Sequence, residues 1–231
     1  MRTVFSYILS CFALAAVFVS CSAERAHIHG NITGLPDGMV WLRAWEGGMP
    51  AADSTRSMGG RFSIPVPDVV PNMMYLQFEA FPDNYIPVFI DGGEVSVSGN
   101  TNYYDDIEVT GTRANDSFAA FRRSVRHYNV QMAAIDLEMR LWADSTVVPD
   151  SLLRVSLTSK RDSLQAIVDS SRWTFMRANP DCIVSAMFAV SALTDSTTSQ
   201  QLSEILAPLD SMMHDNAFLR LLMERKRQLA K

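Results

Sequence analysis

The sequence predicts an α+β fold, an N-terminal antiparallel β-sandwich followed by a C-terminal helical region that contains a long αα-hairpin. Two patterns predict it. Residues 24–112 alternate apolar and polar side chains in short runs broken by turn residues, which is how half-buried strands read. From residue 113 onward, apolar residues recur at helical spacing instead. Composition agrees: 48% of the 231 residues are hydrophobic and 19% charged, enough apolar surface for a buried core. With 25 acidic against 20 basic residues, the formal charge is −5. That balance argues against a nucleic-acid partner, which needs clustered Lys and Arg against phosphate. Three cysteines, two of them in the first 21 residues, do not make a disulfide framework.

The chain opens with an address. Arg2 precedes an uncharged apolar run, Val4 to Val19. It is about 16 residues long, short of the ~20 that a spanning helix takes. The run ends in Phe18-Val19-Ser20-Cys21, which resembles the lipobox of bacterial lipoproteins, with Phe18 where the pattern prefers Leu. This predicts a signal peptide over 1–20, cleavage before Cys21, and acylation of that cysteine. Three acyl chains hold a protein on a membrane durably. Cleavage after Ala23 with release, or an uncleaved anchor, are the alternatives. All three place the body outside the cytoplasm, in the cell envelope at the periplasm or outer membrane.

Strands are expected at His27–Thr33, Met39–Ala44, Ala52–Ser57, Arg61–Val66, around Met74–Phe78, Ile86–Ile90 and Glu94–Ser98, and around Ile107 with Val109. Pro36-Asp37-Gly38, Gly59-Gly60 and Asp91-Gly92-Gly93 supply the turns between them, since Pro presets φ and Gly accepts φ > 0. Then Phe118, Phe121, Val125, Tyr128, Met132, Ile135, Met139 and Trp142 are spaced alternately three and four apart. This is the strongest periodicity in the chain, and Asn115 or Asp116 is expected to cap its start. A second helix is predicted from Asp150 to about Ala178, with Leu153, Leu157, Leu164, Ile167 and Phe175 on or near one stripe; joined through Asp144–Pro149, the pair forms the hairpin over 115–178. Helices over 180–230 complete the helical region, 113–231. Pro180 opens the first, Ser199–Leu206 forms the next, and Asp215–Leu229 ends in basic residues that suit a helix C-terminus.

The order of these elements resembles an N-terminal domain of unknown function found in thioredoxin-like (TlpA-type) disulfide oxidoreductase lipoproteins. The matching stretches are His29-Gly30-Asn31-Ile32-Thr33-Gly34, Gly60-Arg61-Phe62, Pro87-Val88-Phe89-Ile90-Asp91-Gly92-Gly93, Val109-Thr110-Gly111-Thr112 and Asn179-Pro180-Asp181. The resemblance implies a sandwich followed by helices on an exported lipoprotein. In that family a thioredoxin domain usually follows; this chain has no Cys-x-x-Cys, so no redox activity is carried over.

Tested for chemistry, the residues yield no catalytic constellation and no cofactor or metal set. Cys182, at a helix start, reads as a buried small hydrophobe before it reads as a nucleophile. His27 and His29 share a strand face but lack further ligands. The basic run Arg122-Arg123 with Arg126 reads as a solvated helix face. Trp41 and Trp45, which share strand parity with Arg43, are the candidate ligand-binding residues, with Tyr75 and Phe81 from neighbouring runs completing an aromatic platform. Asp-Ser/Thr tripeptides, Asp53-Ser54-Thr55 among them, are similar to a bacterial O-glycosylation acceptor and also to ordinary helix caps. The function expected is therefore a non-enzymatic binding or scaffolding module, membrane-bound through its N-terminal lipid and docking a protein partner in the envelope. An accessory to a thioredoxin-like system and a carbohydrate- or peptide-binding domain are the alternatives.

Overall fold

The computed structural model describes residues 26–45, 50–67, 72–143, 151–210 and 215–230. The leader, Cys21 and the Asp144–Pro149 connection lie outside them. Eight strands, β1 (His27–Thr33), β2 (Gly38–Ala44), β3 (Ala51–Ser57), β4 (Arg61–Pro65), β5 (Asn72–Phe78), β6 (Phe81–Ile90), β7 (Val95–Asn100) and β8 (Glu108–Thr110), precede five α-helices. These are α1 (Arg113–Ala143), α2 (Ser151–Ala178), α3 (Ile183–Ser191), α4 (Ser199–Leu206) and α5 (Ala217–Leu229). The α+β class read from the sequence is the class observed.

The strands form two four-stranded sheets in the orders β4-β1-β7-β8 and β3-β2-β5-β6. All pairings are antiparallel except β1 with β7, which run parallel. Alternation decides what each strand buries. Ile28 and Ile32 of β1, Val40 and Leu42 of β2, and Leu76 and Phe78 of β5 turn into the space between the sheets. Part of the opposite face of the second sheet is also buried: Met73 of β5 and Phe89 of β6 join a second core, with Phe121, Val168, Phe188, Phe218 and Leu222 from the helices. The molecule is thus layered as sheet, sheet and helices.

The α1 stripe behaves as its spacing predicts, with Phe121, Val125, Met132 and Ile135 buried. The two long helices lie antiparallel. Asp136 pairs with Arg161 and Phe121 with Phe175, so the partner's number falls as the first one rises. On α2 the expected stripe is only partly right. Leu164 is buried and Leu157 and Phe175 pack against the helical core, but Leu153 and Ile167 are exposed, and Val168 and Met176 point inward as well.

Two helix starts also differ from expectation. The long helix begins at Arg113, and neither Asn115 nor Asp116 caps it. Asp91 Oδ2 accepts from the Ala114 N–H at 2.8 Å. Asp116 accepts from Gly111 N–H, and Asn115 turns to β6: its Oδ1 accepts from Phe89 N–H at 2.9 Å and its Nδ2 donates to Phe89 O at 2.8 Å. The third helix begins at Ile183 with Cys182 as its N-cap. Pro180 lies in the preceding turn, its carbonyl accepting from Asp210 N–H. The fourth helix has the Ser199–Leu206 bounds read from the sequence, with a capping box between Thr198 and Gln201.

Candidate functional site

Strand parity puts Trp41 and Arg43 on the face of β2 away from the sandwich core, because Val40 and Leu42 occupy the inner one. Register then sets their neighbours: Trp41 stands between Ser54 of β3 and Gln77 of β5, and Arg43 lies opposite Tyr75. Gln77 in turn pairs with Tyr85 of β6. The side chains join as the pairing dictates. The Arg43 guanidinium lies 5.6 Å from the centroid of the Trp41 ring, in reach of a cation–π contact. Arg43 Nε also donates to Gln77 Oε1. Gln77 Nε2 donates to Pro82 O at 2.6 Å and to the Tyr85 hydroxyl at 3.2 Å. Tyr85 meets Tyr75 edge-on at 5.9 Å, and burial raises the Tyr75 phenol above its usual pKa.

The result is a strip from Trp41 through Arg43, Gln77 and Tyr85 to Tyr75, where the helical layer begins. Trp41 is half-buried and packs into neither core. Its indole, the Arg43 cation and the Tyr85 hydroxyl offer an amphipathic surface already held in place by Gln77. Such a surface suits recognition.

Of the four aromatics singled out in the sequence, Trp41 and Tyr75 share this strip. Trp45 keeps the parity but packs on Phe218 at 4.6 Å, in the helical core. Phe81 rests on Tyr104 at 5.7 Å beside the sandwich core. Gln77 and Tyr85 escaped the sequence reading. Only the β2-β5-β6 pairing brings them beside Trp41.

The remaining cysteine, histidines and arginines with chemical potential have structural roles. Cys182 is 4% exposed, and burial pushes its thiol pKa up, away from the reactive thiolate. His27 and His29 stack at 5.7 Å, and His29 Nε2 lies 3.0 Å from Glu94 Oε2. Among the described residues no group of three or more His, Cys, Asp and Glu is placed to hold a metal. The arginines of α1 are not simply solvated. Arg122 donates to Ile107 O, Arg123 pairs with Glu108 at 2.7 Å, and Arg126 with Asp106 at 2.6 Å, which ties the helix to the edge of the first sheet. Ser54, within Asp53-Ser54-Thr55, is exposed on edge strand β3. Among the described residues no helix is long and apolar enough to cross a membrane.

Residues 26–118 match the family model described as a domain of unknown function (DUF4369). The match takes in all eight strands and the first residues of α1, and it agrees with the N-terminal domain of unknown function that the resemblance implied. It brings no link to thioredoxin chemistry. No curated protein and no solved structure matches the chain.

Proposed function

We propose that this chain is an exported, lipid-anchored protein of the cell envelope that works by binding a protein partner, with the Trp41 strip as its contact surface. The strip carries the reading. Trp41, Arg43, Gln77 and Tyr85 are linked side chain to side chain on a sheet face, beside an exposed edge strand. Interfaces concentrate their energy in Trp, Tyr and Arg held in such preorganised settings. The apolar leader and Cys21 support the anchor, and the acidic composition keeps nucleic acid out of the reading.

A photo-crosslinking residue in place of Ser54, in intact cells, tests the contact surface. A discrete crosslinked species is expected, falling about tenfold when Trp41→Ala is added to a chain that still folds; an unchanged yield removes the strip from the reading. The anchor is tested apart from it. Cys21→Ala should leave unprocessed precursor, and normal processing of that variant rules lipidation out. A glycan or extended peptide on the same face is the second reading, favoured by the indole of Trp41 beside hydrogen-bonding Arg43 and Tyr85. Quenching of tryptophan fluorescence by soluble oligosaccharides or short peptides, lost in Trp41→Ala, would select it.

A further inference from the structure

The two sheets have four edge strands, and three of them carry some protection against pairing with another chain. Asn115 of α1 meets the Phe89 backbone on β6 with both ends of its amide. Arg122 of the same helix donates to Ile107 O beside β8, and Arg123 pairs with Glu108 on that strand. β4 is only five residues long and ends in Pro65, a short edge without a donor at its end. β3 is the exception. It runs seven residues with neither proline nor lysine, and Ala51 to Ser54 and Arg56 are exposed. Apart from the Met58–Arg61 bridge just past its end, it pairs with β2 alone among the described residues.

The midpoint of this edge is held by a local stand-in. Ser54 N–H donates to Asp53 Oδ1 at 2.6 Å, a side-chain oxygen in place of the carbonyl of a neighbouring strand. An arriving antiparallel strand supplies that carbonyl and takes a donor in return. The same edge on a second copy has both groups to offer, and the side chains decide whether it fits.

Facing residues on antiparallel strands share one side of the sheet, so a two-fold axis joining two copies of β3 must pass through a residue. Centred on Asp53, it sets carboxylate against carboxylate. Centred on Arg56, it sets guanidinium against guanidinium, and like charges in facing positions destabilise a pair. An axis at Ala52 brings in Pro50, which has no N–H. One at Thr55 draws in Ser57, which is buried with its hydroxyl already donated to Pro36 O. Ser54 remains. There Asp53 faces Thr55 of the second copy and Ala52 faces Arg56, so no like charges oppose. Each Asp53 carboxylate, displaced from its amide, gains a Thr55 hydroxyl across the joint as donor.

We propose that β3 pairs antiparallel with β3 of a second copy about a two-fold axis at Ser54, joining the two four-stranded sheets into one. Seven residues of strand edge make a small contact, of the weak and reversible class. The axis stands normal to the sheet, so both Trp41 strips lie on the same side of the joined sheet. The dimer is independent of what the strip binds: a photo-crosslinked species of twice the chain's mass belongs to this contact, and one of any other mass to a partner.

The test is sedimentation velocity on the full chain in detergent, from about 1 µM to about 0.5 mM. A reversible monomer–dimer equilibrium is expected. Ser54→Glu and Ser54→Lys each place like charges across the axis at an exposed position and should each weaken it about tenfold. An equimolar mixture of the two variants should restore it. Ser63→Glu, exposed on β4, controls for the added charge, and Trp41→Ala should leave the dimer as it is. A monomer throughout, a dimer indifferent to Ser54→Glu, or a mixture no tighter than either variant alone would each overturn the proposal.

Discussion

The amide of Asn115 meets the backbone of Phe89 as an adjoining strand would, one acceptor to the N–H and one donor to the carbonyl, with a further donation to Thr112 Oγ1. All of it is buried. Removing the side chain leaves two backbone groups of β6 unpaired away from water, each costing about 1–3 kcal/mol. Asn115→Ala should therefore destabilise the fold by about 2–4 kcal/mol in urea unfolding; a loss under about 1 kcal/mol would show that water replaces the amide. The sequence pointed to Asn115 as a cap because Asn before a helical run usually is one. Its true partner is 26 residues away in sequence, a distance at which no local signal exists. Gly60 makes a complementary prediction. Its φ is +77°, and a Cβ there would stand 2.2 Å from the carbonyl oxygen of Ile32, backbone that is itself hydrogen-bonded. Gly59, at φ +55°, has open space around the same atom. Gly60→Ala should lower the melting temperature well beyond Gly59→Ala, because only the first adds a backbone clash to the shared cost of a positive φ. Equal shifts would mean that the turn re-forms around either substitution. Cys182 should resist a thiol reagent in the native protein and react quickly in urea, since burial disfavours its thiolate.

At the scale of the elements, the hairpin is where sequence and structure agree best and where the limit of a sequence reading is clearest. The α1 repeat is legible because its three-four spacing allows one face only. On α2, Ile167 and Val168 are adjacent apolar residues, one helical step of about 100° apart, and spacing alone does not choose between them. Packing against α1 and α3 does: Val168 is buried and Ile167 is not. The junction of these helices is an aromatic cluster. Phe188 of α3 stands 4.6 Å from Phe121 and 5.4 Å from Phe175. Phe188→Ala should cost about 3–5 kcal/mol, measured by chemical denaturation. The ion pair across the hairpin is a smaller matter with a distinct signature. The Arg161 guanidinium, hydrogen-bonded to Asp136, holds that carboxyl below the usual carboxylate range, as Arg113 does for Asp181. A depressed folded pKa adds stability above the unfolded value, near 3.9, and loses it as pH falls through the folded one. Asp136→Asn should therefore melt slightly lower than the parent at neutral pH, and the difference should close as acidification carries the pH below the unfolded value and through the depressed folded one. A difference that widened in acid would contradict the assignment.

For the whole molecule, the question is whether the sheets and the helices are separable, as a boundary at residue 112 suggests. The change from period two to period three-four is legible in the sequence, but the helical cover over part of the second sheet's outer face is not. Met73 and Phe89 are apolar at positions where a solvated sheet face would carry polar side chains, and that is the one trace of it. The Trp41 strip was legible only in its β2 half for the same reason, since cross-strand neighbours depend on pairings the linear chain does not display. Met73 at 3% and Phe89 at 0% exposure belong to the helical core. A chain ending at residue 112 would expose both and would also lack Asn115. A contiguous apolar patch of that kind recruits hydrophobic dyes and promotes association. Residues 24–112 expressed alone should bind such a dye and melt broadly at a lower temperature, while residues 24–231 unfold in one transition by both near- and far-ultraviolet dichroism. If the shorter chain melts sharply at the temperature of the longer one and leaves the dye dark, the helices contribute nothing to the sheet they cover. Phe89 would then be better described as tolerated than as required. The Asn115 result separates the two cases: a sandwich that stands without its helices cannot be weakened by cutting two hydrogen bonds to one of them.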